Sequence, residues 1–504
     1  HFGSRSRPVQ TEMSAGVLIA AVVPRGWAAA AAPRAPRPSA VRDEGVRMLP
    51  LRGHPAEPRQ PRRWADAAAV SSLGLAAAKV AVARRRQLIR RRCRHTCEAG
   101  SRAKPWRRRS MLPALCAGTC LPATAALAAS EEGEYVYPNW PALPLAPYAR
   151  RRTLLSEVVP GQVWVLDQIF GTFYVYVPIR ATVLAVSGGL LVYAPVAATP
   201  ECLRLMRGLE AEHGPVRWVL LPSKAAEHKV LAGPFAREFP DARLFVAPGQ
   251  FSVPVDLPLS LLGFPDCEVV DTARLSQLPW AGDCDTAALD IGTFGEIALF
   301  HRRSATLVVT DTVISIPEDP PPLLSDPEYS KALLYHARDD NGELTEALEL
   351  VRRRGWWRIA LFATFFNPGA LLDGEVAIPE TRSKRPWKWQ PGWETSFRRL
   401  RGGGRPLVAP IIRELILRQQ PESSRAYVGK LTSWPLRRVV SAHFDCPIET
   451  SAEELRATFA FLDSEADLDY CAEDVSFLAD LQRSAIPNGT PVRSSASCGY
   501  RPRS

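Results

Sequence analysis

The sequence predicts an α/β protein, and three observations carry this prediction. Short strand-like segments separated by turn signals such as Gly188-Gly189 come first, which is the pattern of antiparallel hairpins. A strand, a polar turn, an apolar-faced helix and a second strand follow over residues 216–249, which is the order of a βαβ unit. A later strand, Ala305–Thr310, ends at the polar residue Asp311, and α/β sheets place their chemistry at such strand ends.

The charge of the chain is divided unevenly along its length. The 504 residues carry a formal net charge of +11, but residues 1–130 hold 24 Lys and Arg against 6 Asp and Glu. The remaining residues hold 39 basic residues against 46 acidic ones, so the body is mildly acidic. Because sequence-independent nucleic-acid binding needs a basic surface, this distribution argues against a nucleic-acid partner.

The first 130 residues have the composition of a targeting leader. Residues 1–105 are rich in Ala, Arg and Pro and poor in acids, which is typical of an organelle transit peptide and also of a disordered basic tail. In residues 106–130, three arginines precede an apolar stretch that ends near Ala126-Leu127-Ala128, a small-residue cleavage pattern. We therefore expect a plastid (chloroplast) protein, with the thylakoid lumen as its destination and the stroma as the alternative.

The body is expected to occupy residues 131–481 without a transmembrane span, because it contains no run of about 18 apolar residues. Residues 482–504 are expected to form a disordered tail. Strands are predicted where short apolar runs lie between turn residues: Gln162–Leu166, Phe173–Val177, Ala181–Ser187, Leu190–Tyr193, Trp218–Leu221, Arg243–Ala247, Glu268–Val270, Glu296–Phe300, Ala305–Thr310 and Leu436–Ser441. Helices are predicted after Thr199-Pro200, through Val230 and Phe235, and at 328–337, 343–353, 407–418 and 451–463.

Two residue types in the body allow more than one interpretation. Its six cysteines are scattered, and we expect buried small residues rather than a disulfide framework. The segment 382–397 contains Trp387, Trp389 and Trp393 among basic residues. These tryptophans predict either a packed lid or an interaction surface.

Four stretches of the body, at 181–195, 219–233, 307–313 and 439–444, resemble segments of the metallo-β-lactamase superfamily. Residues 181–195, ATVLAVSGGLLVYAP, resemble its opening meander, and residues 219–233, VLLPSKAAEHKVLAG, stand where it has a strand, an H-x-H-x-D-H turn and a helix. LVVTDTV at 307–313 and VVSAHF at 439–444 stand where it has strands ending in a metal-bridging Asp and a ligand His. EHKVLAGPFAREFPDARLFVAPGQFS at 227–252, IPEDPPPLL at 316–324, HARDDNG at 336–342 and the Trp-rich segment support a second resemblance. Through them the whole body, about 135–480, resembles the family called domain of unknown function 4336, which is similar to the superfamily but degenerate at its metal motif. The resemblance implies an αββα sandwich of mixed β-sheets.

The resemblance also implies that half of the metal turn has lost its ligands. Ser223 stands for the first His of H-x-H-x-D-H, Ala225 for the second, Glu227 for the Asp and His228 for the last His. Alanine cannot coordinate a metal, and residues 244–300 contain no His that could stand for the superfamily's next ligand. Ser223 and Glu227 are therefore candidates only for a supporting role behind the ligands.

Three residues at ligand positions remain. His228, Asp311 and His443 would match one metal site of the superfamily, and a set of two His and one carboxylate can hold one Zn, Fe or Mn ion with open positions. Each also has a structural alternative: His228 could pack at a helix start, Asp311 could form an Asx turn, and His443 could be a hydrogen-bonded core histidine.

Three functions follow from these alternatives. The first is a non-catalytic or metal-poor plastid protein that lacks the two-metal hydrolase site. The second is a mononuclear metal-dependent hydrolase of a small ester or thioester, in which the metal lowers the pKa of bound water. The third is an interaction module that binds a plastid protein partner through the Trp-rich segment 382–397.

Overall fold

The computed structural model describes most of the predicted body. The described residues are 150–172, 174–250, 258–340, 343–372, 387–463, 470–493 and 496–500. The predicted leader, residues 1–105 and 106–130, lies outside the described residues. The plastid destination therefore stays a prediction.

A seven-stranded sheet contains the first seven strands in their sequence order, β1 to β7. Strands β1 to β4 form an antiparallel meander, and β4 to β7 pair in parallel. The parallel pairs need crossover connections, which the chain makes with helices between β4 and β5 and between β5 and β6. The strands are Leu154–Val159 (β1), Val163–Thr172 (β2), Val175–Val186 (β3), Gly189–Tyr193 (β4), Val216–Leu221 (β5), Arg243–Val246 (β6) and Cys267–Val269 (β7).

A five-stranded sheet has the order β12-β11-β10-β9-β8. Strands β10 and β11 run parallel to each other, whereas the other neighbours are antiparallel. The strands are Cys284–Ile291 (β8), Phe294–His301 (β9), Thr306–Val309 (β10), Arg438–Ser441 (β11) and Ile448–Glu449 (β12). Both sheets are therefore mixed.

Nine α-helices are described. They are Pro200–His213 (α1), Ala226–Arg237 (α2), Pro327–His336 (α3), Leu348–Phe365 (α4), Glu394–Arg401 (α5), Pro410–Leu415 (α6), Pro421–Leu431 (α7), Ala452–Thr458 (α8) and Ala472–Ala485 (α9). Helix α1 shows how the sequence specifies them: the Thr199 side chain caps its N-terminus by accepting from Cys202, and Met206 and Leu209 share its buried face. No helix in the described ranges is long and apolar enough to cross a membrane.

The apolar side chains form layers that define an αββα sandwich. One cluster lies between the two sheets and includes Leu220 of β5 and Val440 of β11. A second cluster packs α1 and α2 on the outer face of the larger sheet, and a third packs α7 and α8 on the smaller sheet. A fourth cluster joins α3, α4, α5 and α9 around Trp356. The predicted α/β sandwich of mixed sheets is confirmed.

The predicted strands lie at the correct positions, but β3 is a single strand where two strands are predicted. Phe173–Val177 and Ala181–Ser187 are predicted as two strands separated by Pro178, but β3 runs through Pro178 and pairs it with Ile169 of β2. Proline is tolerated there because β4, the other neighbour of β3, pairs only with Thr182–Val186. Strands β1, β8 and β12 were not predicted.

The predicted disordered tail from residue 482 is wrong for the residues that the structure describes. Helix α9 continues to Ala485, and Cys498 forms a disulfide with Cys471. The Tyr500 hydroxyl lies 2.8 Å from that of Ser396, so residues 496–500 pack on α5. The disulfide is an exception to the expectation that the body cysteines are buried small residues, whereas Cys202 and Cys284 meet that expectation.

The described tryptophans of the segment 382–397 are core residues and not a binding surface. Trp387, Trp389 and Trp393 are only 6%, 7% and 5% exposed and belong to the helical cluster. The Trp387 ring lies 3.8 Å from that of Phe362, and the Arg358 guanidinium lies 4.6 Å from the Trp393 ring. Side chains this deeply buried cannot contact a partner, which contradicts the interaction module for these three residues.

Candidate metal centre

Two of the predicted ligands lie at equivalent positions on neighbouring strands. Strands β10 and β11 are parallel and in register, with Val309 opposite Ser441. Asp311 and His443 each follow two residues after these ends. Because parallel strands end at the same edge of a sheet, this register brings the two side chains together.

The third predicted ligand comes from the other sheet. His228 lies in the first turn of α2, after the loop that follows β5. This loop forms backbone hydrogen bonds to β9 across the sandwich, from Ile297 to Pro222 (2.8 Å) and from Lys224 to Gly295 (3.3 Å). The two sheets are thus joined at the edge where the three side chains meet.

The three side chains form a compact triad. Ligand atoms of His228, Asp311 and His443 all lie within 4.8 Å of one another. Nε2 of His443 is 3.3 Å from Oδ1 of Asp311, and the rings of the two histidines are 5.2 Å apart between centroids. Atoms about 2.0–2.2 Å from one ion lie within this spacing of each other, so the geometry fits a single metal.

His228 provides a chemical test of whether the triad suits a metal. Its side chain is fully buried, and neither ring nitrogen has a hydrogen-bond partner in the described part of the chain. By contrast, the buried His301 uses both nitrogens, bonding Ser304 Oγ at 2.7 Å and the Ala185 carbonyl at 3.0 Å. A buried polar group without a partner costs about 1–3 kcal/mol, and a bound metal ion would give one of the two nitrogens a partner and recover that part of the cost. The residues present therefore fit a metal ion.

The electrostatics of the triad favour a neutral His228 and a charged Asp311–His443 pair. Burial lowers the pKa of His228 to about 4, assisted by the nearby charge of His443. Burial opposes the ion pair, but hydrogen bonding and charge attraction prevail, so the pKa of Asp311 is lowered and the pKa of His443 is raised. The neutral imidazole is the form of histidine that binds metals.

The two supporting candidates differ in their relation to the triad. Burial, followed by repulsion from Asp311, raises the pKa of Glu227, so this carboxyl group interacts electrostatically with the triad. Ser223 instead accepts a hydrogen bond from the backbone of Ala225 (3.1 Å), which closes the turn locally. The neighbouring Lys224 ammonium binds Asp290 (2.5 Å) and the Gly292 carbonyl.

His443 is oriented by groups that sequence reasoning missed. Its Nδ1–H donates to the carbonyl of Pro178 (2.8 Å), which leaves Nε2 directed to the triad. Arg180 donates to the carbonyls of Ser441 (2.6 Å) and Phe444 (3.0 Å) on either side of His443. The charge of Arg180 is balanced by Asp167 at 2.7 Å, its direct cross-strand neighbour.

Asp311 is held by a further missed residue, Glu296. This fully buried carboxylate of β9 accepts hydrogen bonds from the backbone N–H groups of Thr310 (2.8 Å) and Asp311 (2.6 Å). A lone carboxylate within the apolar run FGEIALF was the available signal, because charged residues are rarely fully buried without a role.

Three solved structures, two of them metallo-β-lactamases, resemble this chain at low sequence identity. The metallo-β-lactamase DIM-1 is 9% identical with a TM-score of 0.31, and the match covers 62% of this chain and 98% of that chain. A metallo-β-lactamase from Hirschia baltica is 8% identical with a TM-score of 0.30, covering 62% and 97%. The flavodiiron core of Flv1 from Synechocystis sp. PCC6803 is 9% identical with a TM-score of 0.31, covering 62% and 61%. Among curated proteins, none matches this chain in sequence.

A sequence profile identifies the family. The profile described as Domain of unknown function (DUF4336) matches residues 160–461, which contain the whole triad. This match spans more than half of the 504 residues. The chain therefore belongs to the DUF4336 family.

Proposed function

We propose that this chain is a metal-poor plastid member of the metallo-β-lactamase-like fold, which holds one divalent metal ion in the triad and lacks the second metal of the two-metal hydrolases. The observation that carries the proposal is His228, a fully buried imidazole whose nitrogens have no partner among the described residues and which lies within 4.8 Å of two further ligand atoms. A core histidine retained only for packing would be expected to resemble His301, with both nitrogens bonded.

The absence of a second metal is supported by the loop after β5. Ser223 and Ala225 replace two imidazoles of the superfamily's motif, and the Ser223 hydroxyl already accepts from the backbone of Ala225. The intervening Lys224 carries a cationic side chain that is only 4% exposed. The Lys224 ammonium group has no lone pair and is bound by Asp290, so residues 223–225 offer no imidazole or carboxylate for a second metal.

The residues of the triad would have distinct roles toward the ion. His228 would bind as a neutral imidazole, and Asp311 would supply the negative charge. His443 would bind through Nε2, since Nδ1 holds its proton against the Pro178 carbonyl. A bound Zn²⁺, Fe²⁺ or Mn²⁺ would supply Lewis acidity, and three protein ligands leave positions open for water or a small molecule.

A mononuclear hydrolase of a small ester or thioester is the second candidate. The observation that favours it is the Glu227 carboxyl group beside the triad, whose pKa is raised by burial and by repulsion from Asp311. In this candidate the partly buried Glu227 carboxyl group would accept or return a proton beside the triad.

Metal content tests the proposal. The purified body should be stripped of metal and titrated with Zn²⁺, Fe²⁺ and Mn²⁺, with bound metal measured by mass spectrometry. We expect one equivalent in the wild type and none in a His228→Phe variant, whereas a control His213→Gln variant outside the triad should bind normally. A folded wild-type protein that binds no metal, or that binds two equivalents, would refute the proposal.

Separate measurements test the hydrolase candidate and the location. The loaded protein should cleave p-nitrophenyl acetate or an acyl-thioester probe, and the metal-free and His228→Phe proteins should not. If the protein binds one equivalent of metal but cleaves neither probe, it is a metal-poor, non-catalytic member of the fold. Import of the full chain into isolated chloroplasts, followed by fractionation, should yield a shortened product in the lumen. If the full chain is not imported, the proposal that it is a plastid protein is wrong.

A further inference from the structure

Glu296 forms an unusually complete hydrogen-bond network for a buried carboxylate. Its Oε2 atom accepts from the backbone N–H groups of Thr310, Asp311 and Thr312 at 2.8, 2.6 and 3.3 Å and from the Thr310 hydroxyl at 2.5 Å. Its Oε1 atom accepts from the Thr312 hydroxyl and from the Tyr427 hydroxyl at 2.8 Å. Charge-assisted bonds of this kind are stronger than neutral ones. The carboxylate thus binds the backbone of three consecutive residues centred on Asp311.

The same residue also contacts the loop that leads to His228. Glu296 forms an isolated β-bridge with Ser223, so its backbone supports one ligand segment while its side chain supports another. The His443 segment is joined to this network because the Ser441 hydroxyl donates to the Thr310 carbonyl at 3.0 Å. The three segments that carry the triad are therefore connected around Glu296.

We propose that Glu296 is a positioning residue that aims the Asp311 carboxylate at the metal by fixing the backbone of Thr310–Thr312. This inference rests on the proposed function, because it assigns a role toward the metal of the same site. Three converging N–H bonds restrict the peptide planes on both sides of Asp311 and hence the direction of its side chain. Residues that orient metal ligands in this way affect metal affinity by about 10–100-fold.

The network offers variants that separate geometry from charge. In Glu296→Gln, the amide oxygen can take the place of Oε2 and receive the three backbone N–H groups. The amide nitrogen can then donate to the hydroxyls of Thr312 and Tyr427, since hydroxyls also accept. Glu296→Gln thus keeps the three backbone hydrogen bonds and removes the negative charge. Glu296→Asp keeps the negative charge but moves the carboxylate back by the length of one methylene group, which weakens these hydrogen bonds.

The expected results follow from this separation. Co²⁺ affinity, measured by calorimetry, should fall about 10–100-fold in Glu296→Asp and stay within about threefold of the wild type in Glu296→Gln. The visible Co²⁺ spectrum should change in Glu296→Asp and be restored in Glu296→Gln. A control Tyr427→Phe variant removes a bond to Oε1, away from the backbone of Asp311, and should leave the affinity and the spectrum unchanged.

Other outcomes would overturn the inference. If Glu296→Gln lost affinity while Glu296→Asp kept it, charge and not positioning would be the role of Glu296. If both variants bound Co²⁺ as the wild type does, Glu296 would have no role toward the metal. Circular dichroism on each variant separates misfolding from a local effect, and Glu296→Gln remains informative if Glu296→Asp does not fold.

A failure of the proposed function has a different signature. If the wild type binds no metal, nitrogen-15 NMR of the histidine rings still reports the Asp311–His443 contact. Positioning by Glu296 then predicts that the His443 signals shift in Glu296→Asp and stay in place in Glu296→Gln and Tyr427→Phe. Unshifted His443 signals in Glu296→Asp would overturn the positioning role independently of the metal.

Discussion

Nε2 of His443 lies 3.3 Å from Oδ1 of Asp311, although the two residues are far apart in the chain. The contact follows from the parallel pairing of β10 and β11, in which Val309 is opposite Ser441 and each ligand follows two residues later. A register shift of one residue would reverse the facing of one side chain and separate the pair. The site therefore depends on strand pairing, which sequence proximity does not encode.

His228→Phe should stabilise the metal-free protein while abolishing metal binding. Phenylalanine has a similar ring and removes two buried nitrogens that lack partners among the described residues. The expected gain in the free energy of unfolding is about 1–3 kcal/mol, measured by urea denaturation without metal. His301→Phe is the matched comparison and should be destabilising, because its nitrogens are bonded. A large loss of stability in His228→Phe would mean that its ring is held by partners and not reserved for a ligand.

The metal-free protein should lose stability as the pH falls from about 6.5 to about 4. Burial lowers the pKa of His228 to about 4, so the unfolded chain takes up a proton in this range that the folded protein does not. The free energy of unfolding therefore falls with pH, by about 3 kcal/mol across the window. His443 has the opposite effect on stability, because its pKa is raised in the folded protein. At higher pH, the free energy of unfolding falls as the pH rises through this raised pKa and His443 loses its proton.

Denaturation at pH 7, 6 and 5 checks this dependence. The slope should be shallower in His228→Phe than in the wild type, because the variant removes the titrating ring. Equal slopes for the two proteins would show that the acid sensitivity arises from other groups.

Arg180→Met should destabilise the protein by about 3–5 kcal/mol, because it leaves the Asp167 carboxylate without its partner inside the sandwich. It also removes the donors that bind the carbonyls on either side of His443, so metal affinity should fall as well. In the double variant with Asp167→Leu, about half of the stability should return while the metal affinity stays low. Recovery of both properties together would show that Arg180 does not orient His443.

Trp389→Ala should lower the free energy of unfolding by about 3–5 kcal/mol, as expected for a large core side chain. Leu350→Ala provides the surface control, since Leu350 is 55% exposed, and it should change stability by less than about 0.5 kcal/mol. Thermal and urea unfolding provide the measurement. If Trp389→Ala were as stable as the wild type, Trp389 would be a surface contact and not a core residue.

Cys498→Ser should release the C-terminal residues and cost about 2–4 kcal/mol of stability. Limited proteolysis should cut the variant after α9 at protease concentrations that leave the wild type intact. Adding a reductant to the wild type should reproduce the effect. Resistance of both proteins under reducing conditions would show that packing through Tyr500, and not the disulfide, holds this segment.

Most of the secondary structure could be predicted because its signals are local. The Thr199 cap and the proline after it start α1, and Ser451 with Glu454 forms a capping box at the start of α8. The early break at Pro178 was wrong because proline is excluded only where a strand has partners on both sides, and local sequence does not show where β4 ends. The tail was misjudged because its order comes from a distant cysteine, Cys471.

Residue types and their order were enough to predict the α/β class, the loss of ligands at Ser223 and Ala225, and the three candidates His228, Asp311 and His443. Residue identity suffices there, because alanine cannot bind a metal and histidine can. Only the tertiary structure decided that the three candidates converge and that Glu296 grips Asp311. It also decided that the tryptophans are buried. These facts depend on strand register and on packing between two sheets, which are relations between distant segments that no local pattern specifies.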